Sequence, residues 1–540
     1  MPMIETHYSS AEQLMASQRT RRALLMGLLI TTVVMVFGTV AALAYFTQVH
    51  AGIAVLLGLA LFLTFALPVA IWNQPRVGLY VLFAGVLLFG GDPAYPNPHV
   101  PTTYVPFVWN LSIAGQTYLS SRVLEPLIFS VAELLLLYTL VVWLIRAIAT
   151  RTLKLETGEH LPFILLYSLI MGLGLVHGLW LGGDLRVALW EVRGQYHFLA
   201  TYLLAVNLLK DRENVRTLLW VAVASIGLQG TLGAFDFASQ GFHSPPGGIL
   251  PHEESLFFAV VFFIMIVSVV TNPDKKLTAA ALLFTPMAAL ATLANQRRAG
   301  IGAFLVAFVA LLPILWVVVK HRRRHIGIFC ALFAAATAVY LPVAWKSNAA
   351  WALPARALRS QSDPNARDAQ SNAYRDLENR DTALTRDQHP WIGVGYGIPF
   401  DRTYSLPEIN FPLADYIPHN GLMWIWFRVG HLGFWAFWMI IALLIVKGIH
   451  TLKVLQDPIL QLMGFVGVTL AIMLYIFGKY DMIFNNPRVM IAVGVFFGAA
   501  GALRAIHERQ AASAPALQVE AVPGSDGPPA GDPERRALRA

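Results

Sequence analysis

The chain has 540 residues, 56% hydrophobic and 13% charged, with a net charge of +8 and one cysteine. A soluble domain carries about a quarter charged residues, so this composition excludes an ordinary soluble enzyme and points to an all-α, polytopic membrane helix bundle. The lone Cys330 excludes a disulfide framework and a cysteine-rich metal site. The excess of base lies in short loops between apolar runs, which speaks against nucleic-acid binding and for anchoring in a membrane.

Residues 1–22 are polar, contain Arg19, Arg21 and Arg22, and read as a cytoplasmic N-terminal segment. The apolar run 23–46 is too long for a signal-peptide core and reads as an uncleaved first span. About 14 apolar segments follow the 20-residue bilayer rule, with 12–14 helices allowed because two are short. They lie at 23–46, 50–72, 77–91, 123–145, 161–181, 195–209, 215–235, 255–271, 277–294, 299–319, 326–346, 418–446, 458–477 and 488–506. The predicted organisation is therefore helices 1–11 within 23–346, a large periplasmic loop at 347–417, helices 12–14 within 418–508, and a disordered cytoplasmic tail at 509–540. Starting inside, each cytoplasmic loop is basic: Arg76; Arg146, Arg151 and Lys154; Lys210, Arg212 and Arg216; Lys275 and Lys276; Lys320 to Arg324; Lys447 and Lys453. Both termini then fall in the cytoplasm, as the positive-inside rule requires.

One position breaks that rule. The span 299–319 has Arg297 and Arg298 before it and the larger cluster Lys320–Arg324 after it. The larger cluster takes the cytoplasmic side, which leaves Arg297 and Arg298 at the outer face. A cation pair kept there against the rule marks a functional site for an anionic substrate. Two further groups share that face: Arg193, at the outer mouth of the sixth segment, and His419, at the outer start of the twelfth. Guanidinium forks hold phosphate oxygens in bidentate fashion. Histidine accepts or orients a proton near neutral pH. Arg193 also has a plainer reading, as a partner of Asp184 or Glu191. Asn420 beside His419 could be an N-cap. Glu253 and Glu254 could complement a helix dipole or serve as a general base. Glu133 is the main charge at mid-depth of a span. Asp363, Asp368, Asp381 and Asp387 of the long loop read as solvated.

The string His389-Pro-Trp-Ile-Gly-Val-Gly-Tyr-Gly397, followed after a polar gap by His419-Asn-Gly-Leu-Met-Trp-Ile-Trp-Phe-Arg-Val-Gly430-His-Leu-Gly433, resembles the O-antigen ligase and O-antigen polymerase-like family. Arg298-Ala-Gly300 resembles that family's arginine before a glycine-containing helix start, and Arg193 could match its arginine on an earlier helix. The resemblance covers about residues 185–450 and is firmest over 388–433. It departs where relatives often have Ser-Arg-Gly and this chain has Arg297-Arg-Ala, and in the acidic pair at 253–254.

The resemblance implies an inner-membrane glycosyltransferase with a periplasmic active site. Such an enzyme moves a glycan from an undecaprenyl diphosphate carrier to a hydroxyl of lipid A core, another glycan or a protein, in O-antigen or exopolysaccharide assembly. Arg193, Arg297 and Arg298 would hold the diphosphate. His419 would activate the acceptor, with Glu253 or Glu254 in reserve. Asn420, Trp391, Tyr396 and Tyr404 would face the sugars. No cofactor and no metal are expected, and the partners are the lipid-linked donor, the acceptor and membrane lipid. The competing reading is a transporter or flippase for an anionic lipid-linked substrate, which predicts ionisable residues near the bilayer midplane.

Overall fold

The computed structural model describes residues 66–513 apart from 91–96, 98, 111–127, 152–153, 245–247, 348, 361, 408 and 410. The predicted spans 23–46 and most of 50–72, the segment 1–22 and the tail beyond 513 lie outside the described residues. Among the described residues the fold is all-α, without a strand. Each predicted segment from 77–91 onward falls on a helix: α1 (Pro75–Leu88), α2 (Val131–Ala149), α3 (Leu161–Trp180), α4 (Leu185–Leu208), α5 (Arg212–Ser239), α6 (Glu254–Thr271), α7 (Lys275–Asn295), α8 (Arg298–Val318), α9 (Arg323–Ala344), α12 (Gly421–Val454), α13 (Pro458–Gly478) and α14 (Pro487–Ser513). Between α9 and α12 the long loop carries α10 (Leu353–Arg359) and α11 (Ala366–Gln388). Ten of the described helices are long and apolar enough to cross a membrane, and the protein is a polytopic helical membrane protein. The tail boundary read at 509 falls inside α14.

Helix starts are set by side-chain caps, which satisfy the orphan N–H groups of a first turn. Asp184, Asp211, Asp274, Asn420 and Asp457 cap α4, α5, α7, α12 and α13 in this way. Two of these caps are also braced at one end of the bundle, by Arg212 on Asp457 at 2.7 Å and Arg216 on Asp274 at 2.5 Å. That end gathers the short basic turns. The opposite end gathers the turns before α6, α8, α12 and α14 together with α11.

Two helix starts differ most from the sequence reading. The helix expected from residue 123 begins at Val131, because Ser130 and Glu133 close a capping box: Ser130 N donates to Glu133 Oε2 at 2.6 Å and Glu133 N to Ser130 Oγ at 3.1 Å. Glu133 is thus a first-turn residue and not a mid-depth charge. The helix expected at 195–209 begins at 185, capped by Asp184, whose side chain accepts from Val187 N at 2.9 Å. Its charged residues Glu191 and Arg193 hid that first half from a hydropathy reading. Arg193 accordingly stands in the third turn of α4 and not at a helix mouth.

The core runs through α13 and α14, 78% and 83% buried, with α4 packed along α14; α9 stands at the rim, 6% buried.

Candidate functional site

The glycine motif of the long loop is threaded through a break in α12. Gly430 has φ 63° and ψ −166°, which interrupts the helix. A broken helix at membrane depth must have its freed backbone groups satisfied by protein. Loop residues 390–395 do this. Val394 N donates to Phe427 O at 2.9 Å and Gly395 N to Arg428 O at 3.1 Å, while His431 N donates to Pro390 O at 2.8 Å and Leu432 N to Trp391 O at 3.3 Å. Gly393, Gly395 and Gly397 have φ of 73°, 81° and 80°, a left-handed region open to glycine. A Cβ on Gly395 would lie 2.4 Å from Gly178 N, so the loop backbone lies directly on α3. Gly395→Ala therefore combines φ strain of about 1–3 kcal/mol with a backbone clash. We expect a markedly lower melting temperature in detergent; an unchanged one would show that the loop is free to shift.

The same loop is clamped by a wholly buried ion pair. Arg428 and Glu191 are both 0% exposed and meet at 2.7 Å. Arg428 also donates to the carbonyls of Gly395 (2.8 Å), Ile398 (2.6 Å) and Tyr416 (2.9 Å). Glu191 accepts from Trp424 Nε1 at 3.0 Å and Gly397 N at 2.8 Å. Glu191 is thus the partner of Arg428 and not of Arg193.

This scaffold fixes the start of α12. Asn420 Oδ1 caps the helix at Met423 N (3.1 Å) and Asn420 Nδ2 donates to Asn379 Oδ1 (3.0 Å), so this side chain is occupied at both ends. His419 is bound by Glu378 of α11. Its Nδ1 lies 3.0 Å from Glu378 Oε1, and its backbone N donates to Oε2 at 2.8 Å. The Glu378 side chain is 1% exposed and that of His419 25%. A carboxylate on Nδ1 fixes the ring and its tautomer, and turns Nε2 into the proton acceptor. Tyr374, one turn before Glu378, packs its ring edge-on to His419 at 5.5 Å between centroids. Burial, then the neighbouring Glu378 carboxylate, push the Tyr374 hydroxyl up to about 12.

Beside this pair the loop between α13 and α14 carries Asp481, whose backbone carbonyl lies against Gly421. Burial would raise its carboxyl, but the hydrogen bond from His252 at 3.2 Å and the guanidinium groups of Arg375 and Arg297 outweigh that and hold it below the usual carboxylate range. Arg298 lies 3.4 Å from Asp368 of α11. Arg297 and Arg375 thus act on the part-buried Asp481 carboxylate and Arg298 on Asp368, and Asp481 lies against the start of the helix that His419 precedes.

The other sequence candidates are placed differently. Arg193 stacks on Trp190 at 3.8 Å and pairs with Glu133 at 3.7 Å, in a group with His197 on α2 and α4. Glu254 is wholly buried on Arg488 at 2.6 Å, and Glu253 meets the same guanidinium at 3.3 Å. The acidic pair is committed to a buried arginine that also donates to the Leu87 carbonyl at 3.0 Å, which removes Glu254 from reach of a substrate proton. Tyr396 is 0% exposed, against Trp424, and offers no face to a sugar; Trp391 is 68% exposed and Tyr404 39%. Asp381 is buried and not solvated: its Oδ1 accepts from Thr403 N and Tyr404 N, both at 3.0 Å. Sequence reasoning missed Glu378, Arg375 and Asp481. The i, i+4 spacing of Tyr374 and Glu378 within a loop helix was the available signal.

No curated protein matches the chain. Residues 279–438, from α7 past the kink of α12, match the model of a family described as O-antigen ligase. That stretch holds Arg297, Arg298, Arg375, Glu378, His419 and Arg428, and over it the chain is similar to an O-antigen ligase-like family of membrane proteins.

Proposed function

We propose that the protein transfers a glycan from a polyprenyl diphosphate, undecaprenyl diphosphate in bacteria, to an acceptor hydroxyl at the periplasmic face of the inner membrane, in surface polysaccharide assembly. The observation that carries this reading is the His419–Glu378 pair, with Arg297, Arg298 and Arg375 at the same end of the bundle. The acceptor O–H gives its proton to His419 Nε2 as its oxygen bonds the anomeric carbon. The bond from that carbon to the phosphate oxygen breaks, and the polyprenyl diphosphate leaves with the electron pair. Negative charge grows on the leaving oxygens, where Arg297, Arg298 and Arg375 offer fixed positive charge, the arrangement most effective in lowering such a barrier. The same guanidinium groups take the place of a divalent ion, so transfer is expected to persist in chelator. Trp391 and Tyr404 are the exposed aromatic faces on the loop for sugar rings. Placement of His419, Glu378 and the nearby arginines at one end of the bundle favours an interfacial enzyme over a transporter.

The test is transfer from purified lipid-linked glycan to acceptor. Arg298→Ala should lower the rate by about 10²–10³-fold, with melting unchanged. Wild-type product would remove Arg298 from the site. A requirement for added divalent ion would overturn the assignment of leaving-group charge to the arginines.

A further inference from the structure

At the end of α8 away from Arg298 lies a cavity. It has a volume of about 370 Å³ and opens between α6, α8 and α9. This lies within the range of small-molecule sites, roughly 300–1,000 Å³. Its walls are apolar and rich in aromatic rings, with Phe262, Phe304, Phe308, Phe329 and Phe333, and Arg322 and His325 line one end. Rings from two helices meet across it: Phe308 and Phe333 lie 4.8 Å apart between centroids. α9 stands at the rim of the bundle, and Phe329 and Phe333 are each 37% exposed.

Charge selects the occupant. Arg322 and His325 belong to the segment Lys320–His325, a run of six consecutive basic or histidine side chains. Arg323 is engaged with Trp316, its Nε donating to the Trp316 carbonyl at 3.0 Å, and the half-exposed indole marks the level of a membrane interface. Asp274, just past the end of α6, is taken by Arg216 at 2.5 Å and does not neutralise the run. The chain's apolar run 23–46 contains no acidic residue to offer it. An apolar trough with a cationic end matches a molecule with an apolar chain and an anionic headgroup.

We propose that this groove binds an anionic phospholipid of the leaflet opposite the glycan-transfer site, with one acyl chain between α8 and α9 and its phosphate on Arg322 and His325. The site is independent of the transfer reaction. Its test is native mass spectrometry of the full chain, released from nanodiscs of matched phosphatidylglycerol or phosphatidylcholine. Phosphatidylglycerol should be retained over phosphatidylcholine. Arg322→Ala with His325→Ala should lower that retention at least about fivefold and leave phosphatidylcholine unchanged. Leu312→Trp, which fills the trough without touching charge, should lower retention of both lipids. Equal retention of the two lipids, or phosphatidylglycerol retention indifferent to both variants, would overturn the proposal. So would a photo-crosslinker at Phe329 that captures the chain's own residues 23–65, or undecaprenyl phosphate displacing phosphatidylglycerol equally well from the Arg322→Ala with His325→Ala variant.

Discussion

Glu191→Gln is expected to destabilise the protein by about 3–5 kcal/mol, the cost of leaving one member of a buried ion pair uncompensated. Arg428 is 0% exposed, and Glu191 is its only described charge partner, at 2.7 Å. The three backbone carbonyls that Arg428 also holds are neutral and cannot replace the lost carboxylate. The effect should extend beyond local packing. Glu191 and Arg428 together hold Gly395, Gly397, Ile398 and Tyr416, which is the whole path from the glycine motif to the start of α12. Proteolysis of the loop between 398 and 416 should therefore accelerate along with the loss of melting temperature. Arg428→Ala should cost a similar amount. The double variant Glu191→Gln with Arg428→Met should recover part of it, because an apolar pair removes the stranded charge. A single-variant loss below about 1 kcal/mol in reversible unfolding would show that water reaches the pair.

The helical spans were legible in the sequence because twenty apolar residues between basic turns have one solution in a bilayer. The motif 389–397 with Gly430 was legible as a motif, but its role was not. Positive φ at three alternate glycines and a helix break thirty-odd residues later become one feature only when the chain folds them against each other. The placement of Arg193 failed, and the partner of Glu253–Glu254 at their helix start was missed, for a related reason. A sequence shows a charge at a helix end and not the buried partner, and Glu133, Arg488 and Arg428 all lie far away along the chain. Arg297, Arg298 and His419 could be read as helix-start residues because a helix start is a local property. Asp368 and Glu378, the partners of Arg298 and His419, sit on α11 with Arg375, and the polar composition of that helix carries no hydropathy signal. Such a helix reads as solvated loop until it is seen packed against α12 and α8 through Glu378 and Asp368.

The second large effect tests the Glu378 contact. Glu378→Gln is expected to lower glycan transfer by about 10²–10⁴-fold, close to the loss for His419→Ala, because a general base contributes on that scale. The carboxylate does two things. It accepts the backbone N–H of His419 at 2.8 Å, and it takes Nδ1 at 3.0 Å. A glutamine can keep one of these contacts but presents an N–H donor as readily as an acceptor to Nδ1. It therefore no longer selects the tautomer that leaves Nε2 free to take the acceptor proton. Two further readouts separate this role from mere support of the loop. Donor affinity, measured with the lipid-linked glycan in the absence of acceptor, should be unchanged in both single variants, since the diphosphate is assigned to the arginines. The double variant should be no slower than His419→Ala alone, because residues that act as one unit lose their function once. Additive losses, or a binding defect with an intact rate at saturating donor, would make Glu378 a brace for α11 and return the search for the base to the groups around Asp481.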